Sequence, residues 1–247
     1  MSKIVKSPSN EMFQADCPDF LANNKGSRGT ENVGAEDLLI PRLELVQDLS
    51  PCRKKNDQAH IPGADGGMLY NNVTRQLYGP EVLIVPVYFK KEFLIWKDRQ
   101  KGGGFRGAHA SLADAEDAVA HLEDGSDCEI MDTAQHFCLL VQPETGKTEE
   151  IVISMSKSKA KVSRKFNSLI RMAGGDSFSR VYRLSTVSEK NSKNQDFYNF
   201  TVAAAGFPTK ALYDAAVKLY EGISSGAVAI DRKTDSFSSE VESDREF

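Results

Sequence analysis

The feature that most narrows the fold is the run Val82-Leu83-Ile84-Val85-Pro86-Val87-Tyr88-Phe89. Its β-branched and aromatic side chains suit the pleated, half-buried surface of a sheet and lose rotamer freedom in a helix. The run is also far too short to cross a bilayer. Pro86 cannot donate to a ladder, so the strand has an edge or a bulge there.

Further strands follow from the same reading. Residues 40–46 alternate apolar and polar, with Pro41 confining them to an edge or a strand start. Residues 93–96 read as a second strand after a tight Lys90-Lys91-Glu92 connection. Residues 136–141 and 150–154 are joined by a turn at 143–147. Residues 180–187 and 196–203 frame the polar loop 188–195, with Tyr182, Leu184, Tyr198, Phe200 and Val202 in one apolar phase.

Helical spacing appears in three places. Leu112, Ala115, Val119 and Leu122 predict a short acidic helix with Asp114 in its first turn, a helix expected to face away from any phosphate. Residues 156–173 are amphipathic, and Leu212, Ala215, Ala216, Leu219 and Ile223 mark the buried stripe of a last helix over 208–223. The expected class is α+β, mostly antiparallel β: an OB-like barrel with helical insertions and a C-terminal helix. Its divisions are a flexible N-terminal arm (1–36), a body (37–207) with an acidic insertion at about 107–132, a C-terminal helix and linker (208–230), and an acidic tail (231–247).

The net charge of −4 hides a strong polarity. Between Arg106 and Lys147 there is no Lys or Arg, and that stretch holds nine acids, without which the chain would carry +5. The four cysteines form no C-x-x-C pair and share no ligand spacing with the four histidines, so neither metal nor cofactor is expected. Lys3 and Lys6 precede no apolar stretch, so a secretory signal is not expected and a cytoplasmic protein is. Gly146-Lys147-Thr148 has Val141 where a phosphate-binding loop needs its first glycine, and no nucleophile and base share a catalytic spacing. The sequence therefore gives no catalytic residue and reads as a non-enzyme.

Two cationic segments carry the functional reading. The first runs from Tyr88 to Arg106 and interleaves Lys90, Lys91, Lys97, Arg99, Lys101 and Arg106 with Trp96 and Phe105 around Gly102-Gly103-Gly104. Single-stranded nucleic acid asks for a cation at each tracked phosphate and a ring under each stacked base. Trp96 and Phe105, flanked by cations and glycines, are the expected stacking residues, and Phe89 is expected in the core. The second is the helix, where Lys157, Lys161, Arg164, Ser168 and Arg171 gather opposite Val162, Phe166, Leu169, Ile170 and Ala173. With Lys159 and Lys165 this makes six cations and no acid between Glu150 and Asp176. A solvated helix ordinarily mixes signs, so a one-sign face points first to phosphate and second to a membrane surface.

Together with Asp37-Leu38-Leu39-Ile40-Pro41-Arg42-Leu43, Leu69-Tyr70-Asn71-Asn72, Trp96-Lys97 and Tyr198-Asn199-Phe200, these segments resemble the single-stranded-DNA-binding proteins of tailed bacteriophages. The resemblance implies an OB-like fold, sequence-tolerant coating of single-stranded DNA in phage replication or recombination, and recruitment of replication or transcription proteins by an acidic tail. Here that tail would act through Glu240, Glu242, Asp244, Glu246 and Phe247, although Arg232, Lys233 and Arg245 dilute its charge. The location would be the host-cell cytoplasm, and self-association into a homo-oligomer is compatible with the sequence. The alternative is a single-stranded-DNA-binding transcription cofactor, or an adaptor that grips a polymerase through its acidic region.

Overall fold

The computed structural model describes residues 39–225, Gly29, and residues 229 and 230. The N-terminal arm and the acidic tail, with Glu240, Glu242, Asp244, Glu246 and Phe247, lie outside the described residues. The strands in chain order are β1 (Leu39–Ile40), β2 (Leu43–Leu45), β3 (Leu69–Asn71), β4 (Leu77–Gly79), β5 (Glu81–Lys97), β6 (Phe105–His109), β7 (Cys128–Gln142), β8 (Lys147–Ser156), β9 (Val181–Lys190), β10 (Asp196–Gly206) and β11 (Ala229–Ile230). The helices are α1 (Leu112–Ala120), α2 (Ala160–Ala173) and α3 (Lys210–Ser224). The molecule is α+β and mostly antiparallel.

The apolar run at 82–89 becomes part of β5, a continuous strand of 17 residues. The expected connection at Lys90-Lys91-Glu92 does not form. Those residues contain no Gly, Pro or Asn to reverse the chain, and β7 pairs β5 from Leu83 to Lys97. The main sheet has the order β10-β9-β5-β7-β8, every pair antiparallel, with β6 beside the far end of β5. The bulge that Pro86 demands lies between Pro86 and Tyr88. Short strands β2, β3 and β4 form a separate three-stranded sheet, and β1 pairs in parallel with β11.

Alternation along the strands builds two cores. Ile84, Leu140, Ile153, Tyr182, Leu184 and Phe200 face α2, which inserts Val162 and Phe166. Val85, Val87, Phe137, Leu139 and Val152 face the other way, against Ala216, Leu219 and Ile223 of α3. A 14-residue α2 and a 15-residue α3 thus bury the stripes their sequences show. The hydroxyl oxygen of Thr209 starts α3 by accepting the Leu212 N–H, and that of Ser111 starts α1 by accepting the Asp114 N–H.

One segment touches both outer edges of the sheet. Pro41 accepts from the Val152 N–H of β8 at 2.8 Å, and the buried Gln47 side chain bonds the Tyr198 backbone of β10. These are single joins, and no closed barrel is found among the described residues. No described helix is long and apolar enough to cross a membrane.

Candidate nucleic-acid interface

The first cationic segment is folded against acids. After β5 the chain turns through a 3-10 turn at Arg99–Lys101, and glycines 102, 103 and 104 all have positive φ, leading it back as β6. Next come α1 and a second tight turn at Gly125–Asp127. A Cβ on Gly125 would lie 2.1 Å from the Val119 carbonyl oxygen, so only glycine lets this turn seat against α1. The seating brings Asp124 between Lys97 and Arg106, each 2.8 Å from its Oδ2. Asp127 meets Lys101, and Asp132 meets Lys91 at 2.9 Å. Lys90 pairs with the buried Glu92, and Lys157 lies 3.7 Å from Glu129.

Hydrogen bonds from Lys97 and then Arg106 hold the Asp124 carboxyl below its ordinary range, and the hydrogen bond to Asp127 raises Lys101. Only the acidic helix α1 was expected to face away from phosphate, and nothing in the sequence placed the acids that follow it. Asp124, Asp127 and Asp132, which lie beyond that helix, cover Lys97, Arg106, Lys101 and Lys91, because the hairpin β5–β6 and strand β7 lie side by side. Lys90, Lys91, Lys97, Lys101, Arg106 and Lys157 are therefore ion-paired, not freely presented. The backbone of Arg99 begins its turn, and its side chain lies outside the described set.

The expected stacking residues also change role. Trp96 is 6% exposed, in register with Phe105 on β6 and with ring centroids 5.4 Å apart. Strand β6 and helix α1 pack on this end of β5, which seals the indole and occupies the ring of Phe105. Trp96 is corrected from a stacking face to a core residue, and Phe105 to its half-buried packing partner. Phe89, expected inside, is 43% exposed. The Pro86–Tyr88 bulge explains the exchange: it shifts alternation by one, sending Tyr88 to the α3 side and Phe89 to the α2 side. Strand β9 has left β5 by then, its pairing ending at Ile84.

The second cationic segment keeps only part of its expected face: the helix begins at Ala160, so Lys157 lies in the preceding 3-10 turn beside Glu129 and off the crest. The crest of α2 presents Lys161, Arg164, Lys165, Ser168 and Arg171, all exposed, with Met172 78% exposed among them. Lys161 pairs with Glu189 at 2.8 Å. Burial works to raise the Glu189 carboxyl, but hydrogen bonds from Asn199 and Lys161 outweigh it and keep it low. Among the described residues Arg164, Lys165 and Arg171 enter no ion pair, which leaves them as cations open to an external anion. Lys159 is buried instead, its ammonium 5.5 Å from the Phe200 ring centroid.

Among the described residues no cluster of three or more His, Cys, Asp or Glu side chains is arranged to hold a metal ion. The buried His136 Nε2 lies 2.8 Å from Ser163 Oγ, between the rings of Phe89 and Phe166. Burial pushes its pKa down to about 4, so the imidazole is neutral.

The described structure is thus a mostly antiparallel sheet with one exposed helix face that carries cations and no acid. The chain matches the family model described as Pam3 phage gp34-like protein over residues 9–229, and it belongs to that bacteriophage family. The phage part of the resemblance stands on this match, whose description speaks of no activity. No curated protein and no solved structure matches the chain.

Proposed function

We propose that this phage protein binds single-stranded DNA without strong sequence preference, as a coating protein in replication or recombination. The observation that carries the reading is the crest of α2, where Arg164, Lys165 and Arg171 stand exposed and free of ion pairs among the described residues. The topology supports it. Order β10-β9-β5-β7-β8, with α2 between β8 and β9, is the order of an OB barrel opened between its last and third strands. The segment carrying Pro41 and Gln47 lies across that opening, so an OB-like body is the finer fold reading we adopt.

Fluorescence anisotropy of a labelled oligothymidylate, against a duplex of equal length and at two salt concentrations, tests the reading. The single strand is expected to bind more tightly. Replacing Arg164, Lys165 and Arg171 together by Ala should weaken binding and reduce the magnitude of the salt slope by about 2, at about 0.7 per phosphate contact. A wild-type protein that binds neither strand, or a triple variant with an unchanged slope, would sink it.

A second reading has one observation of its own. Asp114, Glu116 and Asp117 are exposed on α1, and among the described residues Asp117 pairs with the exposed His121 at 3.8 Å. That acidic ridge suits a polymerase adaptor or transcription cofactor. Nuclease-resistant pull-down of a polymerase, lost in the Asp114→Asn, Glu116→Gln, Asp117→Asn variant, would favour this role over coating.

A further inference from the structure

Resting on the single-stranded-DNA reading, we infer that Phe89 is the base-stacking platform of the site and that Arg164 and Arg171 hold the phosphates beside it. The ring is presented rather than buried, and it is backed. It sits 5.1 Å from the His136 ring, which sits 5.0 Å from Phe166 at the base of α2. Such a file of rings fixes the platform's tilt before any ligand arrives, which lowers the cost of ordering it on binding.

The position of α2 supplies the cations on the correct flank. Ser163 touches His136, so that side of the helix looks toward Phe89. At about 100° per residue, Arg164 and Arg171 lie roughly 100° and 80° around the helix from Ser163. Lys161 and Lys165 lie about 160° away on either side, and Lys161 indeed reaches Glu189 on the β9 side. Of the crest cations the two arginines thus lie closest in angle to the Ser163 side, with Arg171 about 12 Å further along the axis, within reach of a strand running past the ring. On β5 itself, Lys91 follows Phe89 by two residues on the same face and rests 5.2 Å from the Phe93 ring centroid. Over residues 85–92 that edge of β5 has no strand beside it among the described residues; the turn Ser177–Ser179 covers it only near Val87, whose carbonyl accepts from the Ser177 hydroxyl at 3.0 Å. The occupant we assign is one nucleotide of an extended strand, its base on Phe89 and its flanking phosphates on Arg164 and Arg171. Phe207, at 72% exposed, is the competing ring, but the Arg180 guanidinium already lies 4.8 Å from its centroid.

The experiment compares oligothymidylate with an abasic oligomer of the same length. Phe89→Leu is expected to weaken oligothymidylate binding about 5- to 150-fold, the range of one base–aromatic stack, while abasic binding and the salt slope stay as in wild type. Phe89→Tyr is expected to keep wild-type affinity. As a check independent of variants, an oligomer carrying 5-iododeoxyuridine should crosslink the wild-type protein at Phe89. Equal affinity of wild type and Phe89→Leu for oligothymidylate, equal losses for both oligomers, or a crosslink at Phe207 would overturn the platform and leave the coating role intact. Absence of any wild-type binding would overturn both.

Discussion

The side-chain amide of Gln47 takes the place of a neighbouring strand for Tyr198. Its Nε2 donates to the Tyr198 carbonyl at 2.8 Å, and its Oε1 accepts the Tyr198 N–H at 2.8 Å. Gln47 is buried, so removing its amide leaves Tyr198 with a donor and an acceptor shielded from water. Glycines 66 and 67 allow the loop to press on the same tyrosine, since a Cβ at either would come within 2.8 Å of its ring. Gln47→Ala is therefore expected to lower stability by about 1–3 kcal/mol, the cost of stranding buried polar groups, read from the urea midpoint. An unchanged midpoint would mean that Tyr198 does not need this join.

Trp96 is expected to report on folding and not on DNA. Its emission should be blue-shifted, poorly quenched by acrylamide, and unchanged by saturating oligonucleotide. Trp96→Ala should cost about 3–5 kcal/mol, as for other large core aromatics, whereas Trp96→Phe should bind DNA as wild type does. Quenching of the native fluorescence by oligonucleotide would return the indole to the interface.

How much of this could be read from residues alone depends on how far apart the interacting partners lie. The β9–β10 hairpin and the stripe of α3 were legible, because alternation and helical periodicity are local and Tyr182, Leu184, Phe200 and Val202 obey them. The crest of α2 was legible for the same reason. Short strands β3 and β4 are too brief to show a pattern, and Gln47 gives no sequence sign of the edge it meets. The exchange between Trp96 and Phe89 was hidden because a bulge at Pro86 could be anticipated while its effect on every later side chain could not. Masking of Lys97 and Arg106 was hidden more deeply. It depends on Asp124, 18 residues beyond Arg106, and on a glycine that packs against α1.

Acid should weaken the fold through His136. The folded imidazole stays neutral down to about pH 4 because it is buried, whereas an unfolded histidine takes its proton near pH 6.5. The unfolded state binds more protons between these values, so stability is complete above about pH 6.5 and falls as pH drops toward 4, by up to roughly 3 kcal/mol. His136→Gln keeps a partner for the Ser163 hydroxyl and does not titrate. Urea melts from pH 7 to 4.5 should show a shallower loss in this variant, and equal slopes in the two proteins would remove His136 as the cause.

Asp124 sets how much of the first cationic segment is available to DNA. One carboxylate holds both Lys97 and Arg106, as a phosphate would, and all three groups border solvent. Exposed pairs of this kind are weak and yield to salt or to a competing anion. The Asp124→Asn variant removes the charge and keeps the shape, so Lys97 and Arg106 become open to a strand already held by α2. Affinity for single-stranded DNA is expected to rise, and the salt slope to steepen by about 0.7 for each phosphate gained. The variant should leave the thermal midpoint close to wild type, which separates this effect from a gain in folding. If affinity rises without a steeper slope, the added contacts are not phosphates. If neither changes, the strand does not reach the Lys97–Arg106 end of the β5–β6 hairpin, and the interface is confined to α2 and the part of β5 beside it.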